Sequence, residues 1–198
     1  MGGVCGGHPA VAGRPMKPLR RRAARHLPFL IALTVILSAY TLTGSKWDHK
    51  AITYSCGNPA LAQAVKDWAA VSALEDGGCS ANPDIILQVV DPWPYGANIA
   101  GVAGWASVGG KTTGCVISVK PTGVAHMGVI THEVGHCLGL GHSSEAFDEK
   151  DPALRGASMY YACCNTIGAD DRAGIVALYG PEPPAPPPPL RLPMLVRD

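Results

Sequence analysis

The sequence predicts an α+β domain built on one small β-sheet, and two observations carry that reading. Between residues 50 and 180 the apolar spacing reads strand, helix, a run of strands, then two helices. Strands and helices that do not alternate one for one point to α+β rather than to a parallel α/β sheet. Composition sets the other bound. The chain has 198 residues, 47% hydrophobic and 16% charged, enough to bury one core and too apolar for a disordered chain.

The elements follow in order. "KAITYSC" (50–56) is a short run of β-formers. "NPALAQAVKDWAAVSAL" (58–74) is an amphipathic helix, with Asn58 as N-cap and Pro59 at the first helical position. Leu61, Val65 and Trp68 share its apolar face with Val71 or Ser72. "GGCSANP" breaks it. "DIILQVV" (84–90) has the unbroken apolar character of a buried strand, and "DPWPYG" turns. "VAGWASV" (102–108) and "GCVISVK" (114–120) are two more strands around a Gly-Gly-Lys turn. A helix runs through "GVAHMGVITHEVGHCLG", and a polar loop covers 143–157. "GADDRAGIVALYG" (168–180) is a last helix, acidic in its first turn and closed by Gly180. From residue 181 to residue 198 the tail is proline-rich and extended.

The start of the chain reads as an export leader. Residues 1–44 carry six Lys/Arg and no acid, whereas residues 45–180 carry 8 bases and 13 acids, so the folded part is mildly acidic. Nothing in that charge suggests a nucleic-acid surface. A basic stretch from Met16 precedes an apolar run over 27–39, the n-region and h-region of a signal peptide. The run is shorter than the roughly 20 residues of a membrane span. Residues 1–39 are thus expected to be a leader cleaved near Ala39, or else an uncleaved anchor and the one contact with a membrane. Met16 makes a better start for it than Met1. Past Cys5 there are six cysteines: Cys56, Cys79, Cys115, Cys137, Cys163 and Cys164. An even number in an exported domain suggests disulfides, and six allow 15 pairings.

Chemistry concentrates in "THEVGHCLGLGH", residues 131–142, which holds three of the 7 histidines. His132 and His136 stand four apart, on one helix face, and can share a metal ion. Glu133 is turned by about 100° from that face and can reach a water on the ion without binding it. Gly139 and Gly141 can end the helix and let the chain swing His142 back as a third ligand. Three imidazoles with one position left open suit a catalytic zinc ion, with Glu133 as general base. His126 and His49 fall outside this pattern and are read as ordinary histidines.

The full spacing, H-E-x-x-H-x-x-G-x-x-H, resembles that of the metzincin zinc endopeptidases. "ASMYY" (157–161) is similar to their Met-turn, with Met159 beneath the metal. The chain from about Tyr40 to Gly180 most resembles the matrixin, or matrix-metalloproteinase-like, branch. "YTLTGSKWDHKAITYSC" resembles the matrixin first strand, Ser143 follows His142 as in matrixins, and "DDRAGIVALYG" resembles their final helix. The resemblance implies a zincin fold over residues 40–180: a small twisted mixed sheet, an N-terminal helix, an active-site helix, a Met-turn and a C-terminal helix. It implies His132, His136 and His142 as zinc ligands, Glu133 as base, and Met159 and Gly139 as support. It implies a peptide or protein substrate pairing with the strand "VAGWASV", and the leader adds the expectation of a secreted location or, if uncleaved, a membrane-anchored one.

Some features differ from matrixins. No "PRCGVPD"-like peptide is present, and Cys5 lies ahead of the apolar run, so no cysteine latch is expected. "PYGANIAGVAGWASVGG" lacks the structural-zinc histidines, so one zinc is expected; calcium is left without assigned residues. Tyr161 stands where astacin-like and serralysin-like metzincins have a tyrosine able to bind the metal or the oxyanion; packing is the alternative. The resemblance brings the site helix and the Met-turn together, which implies a bridge from Cys137 to Cys163 or Cys164. A Cys56–Cys79 bridge is disfavoured, because a helix of about 24 Å lies between them. An exported zinc endopeptidase is the leading reading, and a cell-surface binding module without turnover is the alternative.

Overall fold

A computed structural model describes residues 40–122, 126–162 and 166–184. The expected leader, Cys5, Cys163, Cys164 and the tail beyond residue 184 lie outside the described residues. Five strands form one sheet: β1 (Ala51–Ser55), β2 (Glu75–Ser80), β3 (Ile85–Val89), β4 (Gly101–Val108) and β5 (Lys111–Val119). Their order is β2-β1-β3-β5-β4, with β4 antiparallel to β5 and the other pairs parallel. The helices are α1 (Pro59–Ala69), α2 (Met127–Cys137), α3 (Pro152–Arg155) and α4 (Ala169–Tyr179). This is the expected mixed-sheet α+β fold. Among the described residues no helix is long and apolar enough to cross a membrane.

Local chemistry accounts for most boundaries. Asn58 Oδ1 accepts from the Ala60 and Leu61 amides at 3.0 Å, so α1 starts where the N-cap and Pro59 put it. It ends at Ala69, short of the expected 74. The Ser72 hydroxyl donates to Trp68 O at 2.9 Å and takes over a carbonyl of the last turn. Gly109 (φ 57°) and Gly110 (φ 78°) form the tight β4–β5 turn, with Val108 opposite Lys111. The core lies between the inner face of the sheet (Ile52, Ile85, Ile117, Val119) and the apolar faces of α1 (Leu61, Val65, Trp68) and α2 (Ile130, Val134).

Four expectations are corrected. The "GGCS" segment is part of β2, not a break. Its pairing with β1 brings the backbones so close that a Cβ on Gly77 would lie 2.9 Å from the Ile52 carbonyl carbon and oxygen. β3 is not buried throughout: Ile85 is covered, whereas Ile86 on the other face is 41% exposed and Val89, at the strand's end on the Ile85 face, is 49% exposed. The loop over 143–157 contains α3, with Pro152 at its start and Asp151 accepting from the Ala153 amide at 2.8 Å.

The fourth correction is the disulfides. Cys137 bonds to Cys115, with Cα atoms 5.6 Å apart, rather than to Cys163 or Cys164. Cys115 points from β5 into the core, where the C-terminal end of α2 rests on the sheet. Cys56 bonds to Cys79 across 4.9 Å between Cα atoms. The length of α1 does not separate them, because it is the crossover between two parallel neighbours, and a crossover returns the chain to the adjacent strand.

Candidate metal centre and cleft

α2 is held by side chains that donate to carbonyls in its middle and at its C-terminal end, and by a fitted floor. Trp68 Nε1 donates to Thr131 O at 2.9 Å, Trp47 Nε1 to Cys137 O at 3.0 Å, and the Tyr179 hydroxyl to Leu138 O at 2.9 Å. The helix ends in a Schellman turn. Gly139 has φ 101°, its amide bonds to His136 O at 3.0 Å, and the Leu140 amide bonds back to Gly135 O at 3.0 Å. The chain then pairs with the start of the domain. The Gly141 amide bonds to Thr41 O and the Thr41 hydroxyl to His142 O, both at 2.8 Å. That return carries His142 back over the helix.

The three histidines converge. His142 Nε2 lies 3.3 Å from His132 Nε2 and 3.2 Å from His136 Nε2. Each ring's other nitrogen faces an acceptor that has no proton to give. His132 Nδ1 lies 2.6 Å from Ser158 O, His136 Nδ1 2.8 Å from Leu140 O, and His142 Nδ1 2.6 Å from a Glu145 carboxylate oxygen. Each Nδ1 must therefore carry a hydrogen, and in the neutral ring the lone pair then lies on Nε2. Burial lowers the pKa of His132 to about 3 and of His136 to about 4, so both rings are neutral near pH 7. Three lone pairs aimed at one point repel one another unless a cation lies between them. Tetrahedral zinc with Zn–N of about 2.0–2.1 Å places neighbouring nitrogens about 3.3–3.4 Å apart. The donor set and its spacing fit that ion, and among the described residues this is the one such group of His, Cys, Asp or Glu.

Glu133 leaves the same helix toward β4. Its carboxylate bonds to the Ala103 backbone, and burial is the main cause that raises its pKa, to about 7. A Cβ on Gly101 would come within 3.0 Å of Glu133 Oε1, so the bare glycine leaves room for the carboxylate beside the strand. Met159 is buried beneath α2, in contact distance of any Cβ built on Gly135. Its turn is fastened by a residue that sequence reasoning missed. The buried Asp171 carboxylate accepts from the amides of Ser158 (2.6 Å), Met159 (3.0 Å) and Gly168 (2.7 Å). In the sequence it looked like a helix-dipole acid, and only its place facing the Met-turn reveals the second task.

A cavity of about 700 Å³ opens over the histidines. One wall is Gly101–Ala103 and Trp105 of β4, the free edge of the sheet; Phe147 and Tyr161 also line the cavity. The Tyr161 ring lies 6.3 Å from that of His142 and is 45% exposed. Tyr160 beside it is the packing residue, its hydroxyl bonded to Ala146 O and Phe147 O at 2.9 Å. Another concavity, of about 710 Å³, lies across α2 between Val71, Met127 and Arg172, and holds none of the three histidines. His49 and His126 stay outside the centre. His49 sits between Asp48 and Asp84, at 3.2 Å from each, and His126 is the exposed N-cap of α2.

Fold and site together define a metzincin domain. The chain belongs to the matrixin family, whose profile matches residues 66–180. It is 30% identical over 191 residues to human (Homo sapiens) Matrix metalloproteinase-16, covering 78% of this chain and 30% of the relative. Mouse (Mus musculus) Matrix metalloproteinase-25 is 28% identical over 173 residues, 71% of this chain and 28% of the relative. Metalloendoproteinase 1-MMP of Arabidopsis thaliana is 46% identical over 55 residues, 28% of this chain and 14% of the relative. The chain thus spans less than a third of the length of each of these relatives.

Proposed function

We propose that this chain is an exported zinc endopeptidase in which His132, His136 and His142 hold the metal and Glu133 is the general base. The observation that supports it best is the convergence of three imidazole Nε2 atoms on the floor of a cleft walled by a free edge strand. Zinc bound there would polarise a peptide carbonyl and lower the pKa of water toward 7. The protein's own groups do the rest. The edge of β4 takes an extended peptide as an added strand, which lays the scissile bond along the cleft. Glu133 accepts the proton of the attacking water and gives it to the leaving amine. Tyr161, which lines the same cavity, donates its hydroxyl to the developing oxyanion. Residues 1–39 act as the export leader, residues 40–180 as the catalytic domain and residues 181–198 as a proline-rich tail. The site is secreted or held at the cell surface.

The test compares wild type with Glu133→Ala on an unstructured protein such as casein, with metal content measured on both. The variant is expected to keep one zinc and to lose activity by about 10²- to 10⁴-fold. Equal cleavage by the two would refute the assignment of Glu133. No cleavage by either, with one zinc bound, would favour a binding module on the same scaffold.

A further inference from the structure

The three imidazoles are not anchored alike. His132 and His136 stand on a braced helix and donate to backbone carbonyls, Ser158 O and Leu140 O. His142 stands on the loop beyond the Schellman turn and donates to a carboxylate, Glu145 Oε1 at 2.6 Å. Taking the three-histidine group as a zinc site, we propose that Glu145 is a positioning residue for it. Its carboxylate locks the ring of His142 and makes its Nε2 a stronger donor to the metal.

Glu145 is 76% exposed, and an exposed ion pair by itself contributes little. Two things set this one apart. The first is that the backbone on either side of it is tied down. Ser144 bridges to Tyr160 and bonds to Glu149 at 2.6 Å, and Ala146 receives the Tyr160 hydroxyl at 2.9 Å and donates to Ser144 Oγ at 3.1 Å. The carboxylate is therefore presented to His142 from a short, fastened span, and little freedom is lost in making the bond. The second is the partner. An imidazole that gives its Nε2 lone pair to a cation has a more acidic N–H at Nδ1, and its bond to a carboxylate becomes charge-assisted. A backbone carbonyl offers the same geometry without the charge. The helix places the other two rings, so the residue that most needs an anchor is the one that has the strongest.

The full chain, stripped of metal, is titrated with zinc against a competing chelator, for wild type, Glu145→Gln and Glu145→Ala. Apo unfolding midpoints and the visible spectra of the cobalt(II)-substituted proteins are recorded alongside. Glu145→Ala is expected to raise the zinc Kd by about 10- to 100-fold. Glu145→Gln, which keeps an acceptor but no charge, should fall between it and wild type. The apo midpoints should coincide, because the bond depends on the metal for its strength, and the cobalt spectrum of Glu145→Ala should shift. Either variant binding zinc as tightly as wild type overturns the role of the carboxylate while leaving the three-histidine site intact. A wild type that binds no zinc overturns the site itself, and the role of Glu145 with it.

Discussion

Tyr160 and Tyr161 are neighbours with opposite surroundings. Tyr160 spends its hydroxyl on two loop carbonyls and is buried, whereas Tyr161 leaves its ring half exposed over the histidines. If Tyr161 donates to the oxyanion, Tyr161→Phe should lower kcat by about 10²-fold with KM little changed. Steady-state kinetics on a quenched peptide checks this, and an unchanged kcat would make Tyr161 a wall and no more. Asp171 makes a different prediction. Its one carboxylate serves three backbone amides, so Asp171→Ala leaves two buried donors and one part-buried donor without their acceptor. At about 1–3 kcal/mol for each buried orphaned group, the loss should reach at least about 2 kcal/mol by urea unfolding. Zinc affinity should weaken too, because Ser158, whose carbonyl holds His132, is one of the residues released.

At the scale of the element, α2 shows which parts of a helix its own residues dictate. The i, i+4 histidines and the stop at Gly139 are local facts, and both were readable from spacing. The need for Gly135 was not, because it comes from Met159 and Trp68 on other segments. A Cβ there would lie 2.9 Å from Trp68 Cζ2 and would collide with Met159 Sδ. Gly135→Ala is therefore expected to cost about 1–3 kcal/mol in spite of alanine's better helix propensity. A thermal midpoint equal to that of wild type would show that the Met-turn can move away at no cost. β2 was lost for a related reason. "EDGGCS" has no buried face to give a period of two, and it is a strand because β1 lies alongside it.

For the whole molecule, the Cys115–Cys137 bridge joins the sheet to the end of the helix that carries two of the site histidines. It closes a loop with a sequence separation of 22, worth about 3 kcal/mol against the unfolded chain. Replacing both cysteines by serine should lower stability by about that amount in urea. Non-reducing peptide mapping of wild type should recover residues 115 and 137 in one linked peptide. Recovery of Cys137 as a free thiol, or linked elsewhere, would contradict the bridge.

The sequence by itself determined what depends on residues close along the chain. Those are the N-cap and proline that start α1, the glycine turn between β4 and β5, and the spacing of His132, Glu133, His136, Gly139 and His142. These are short-range matters of steric preference and helical geometry, and one segment is enough to state them. Only the tertiary structure decided the disulfide partners, the second task of Asp171, the pairing of Glu145 with His142, and which of two tyrosines faces the cleft. Each of those joins a residue to a surface supplied by another element, or turns on which way a loop side chain points. Spacing carries neither kind of information, because packing and the pairing of buried polar groups are settled by the assembled core rather than by the order of the chain.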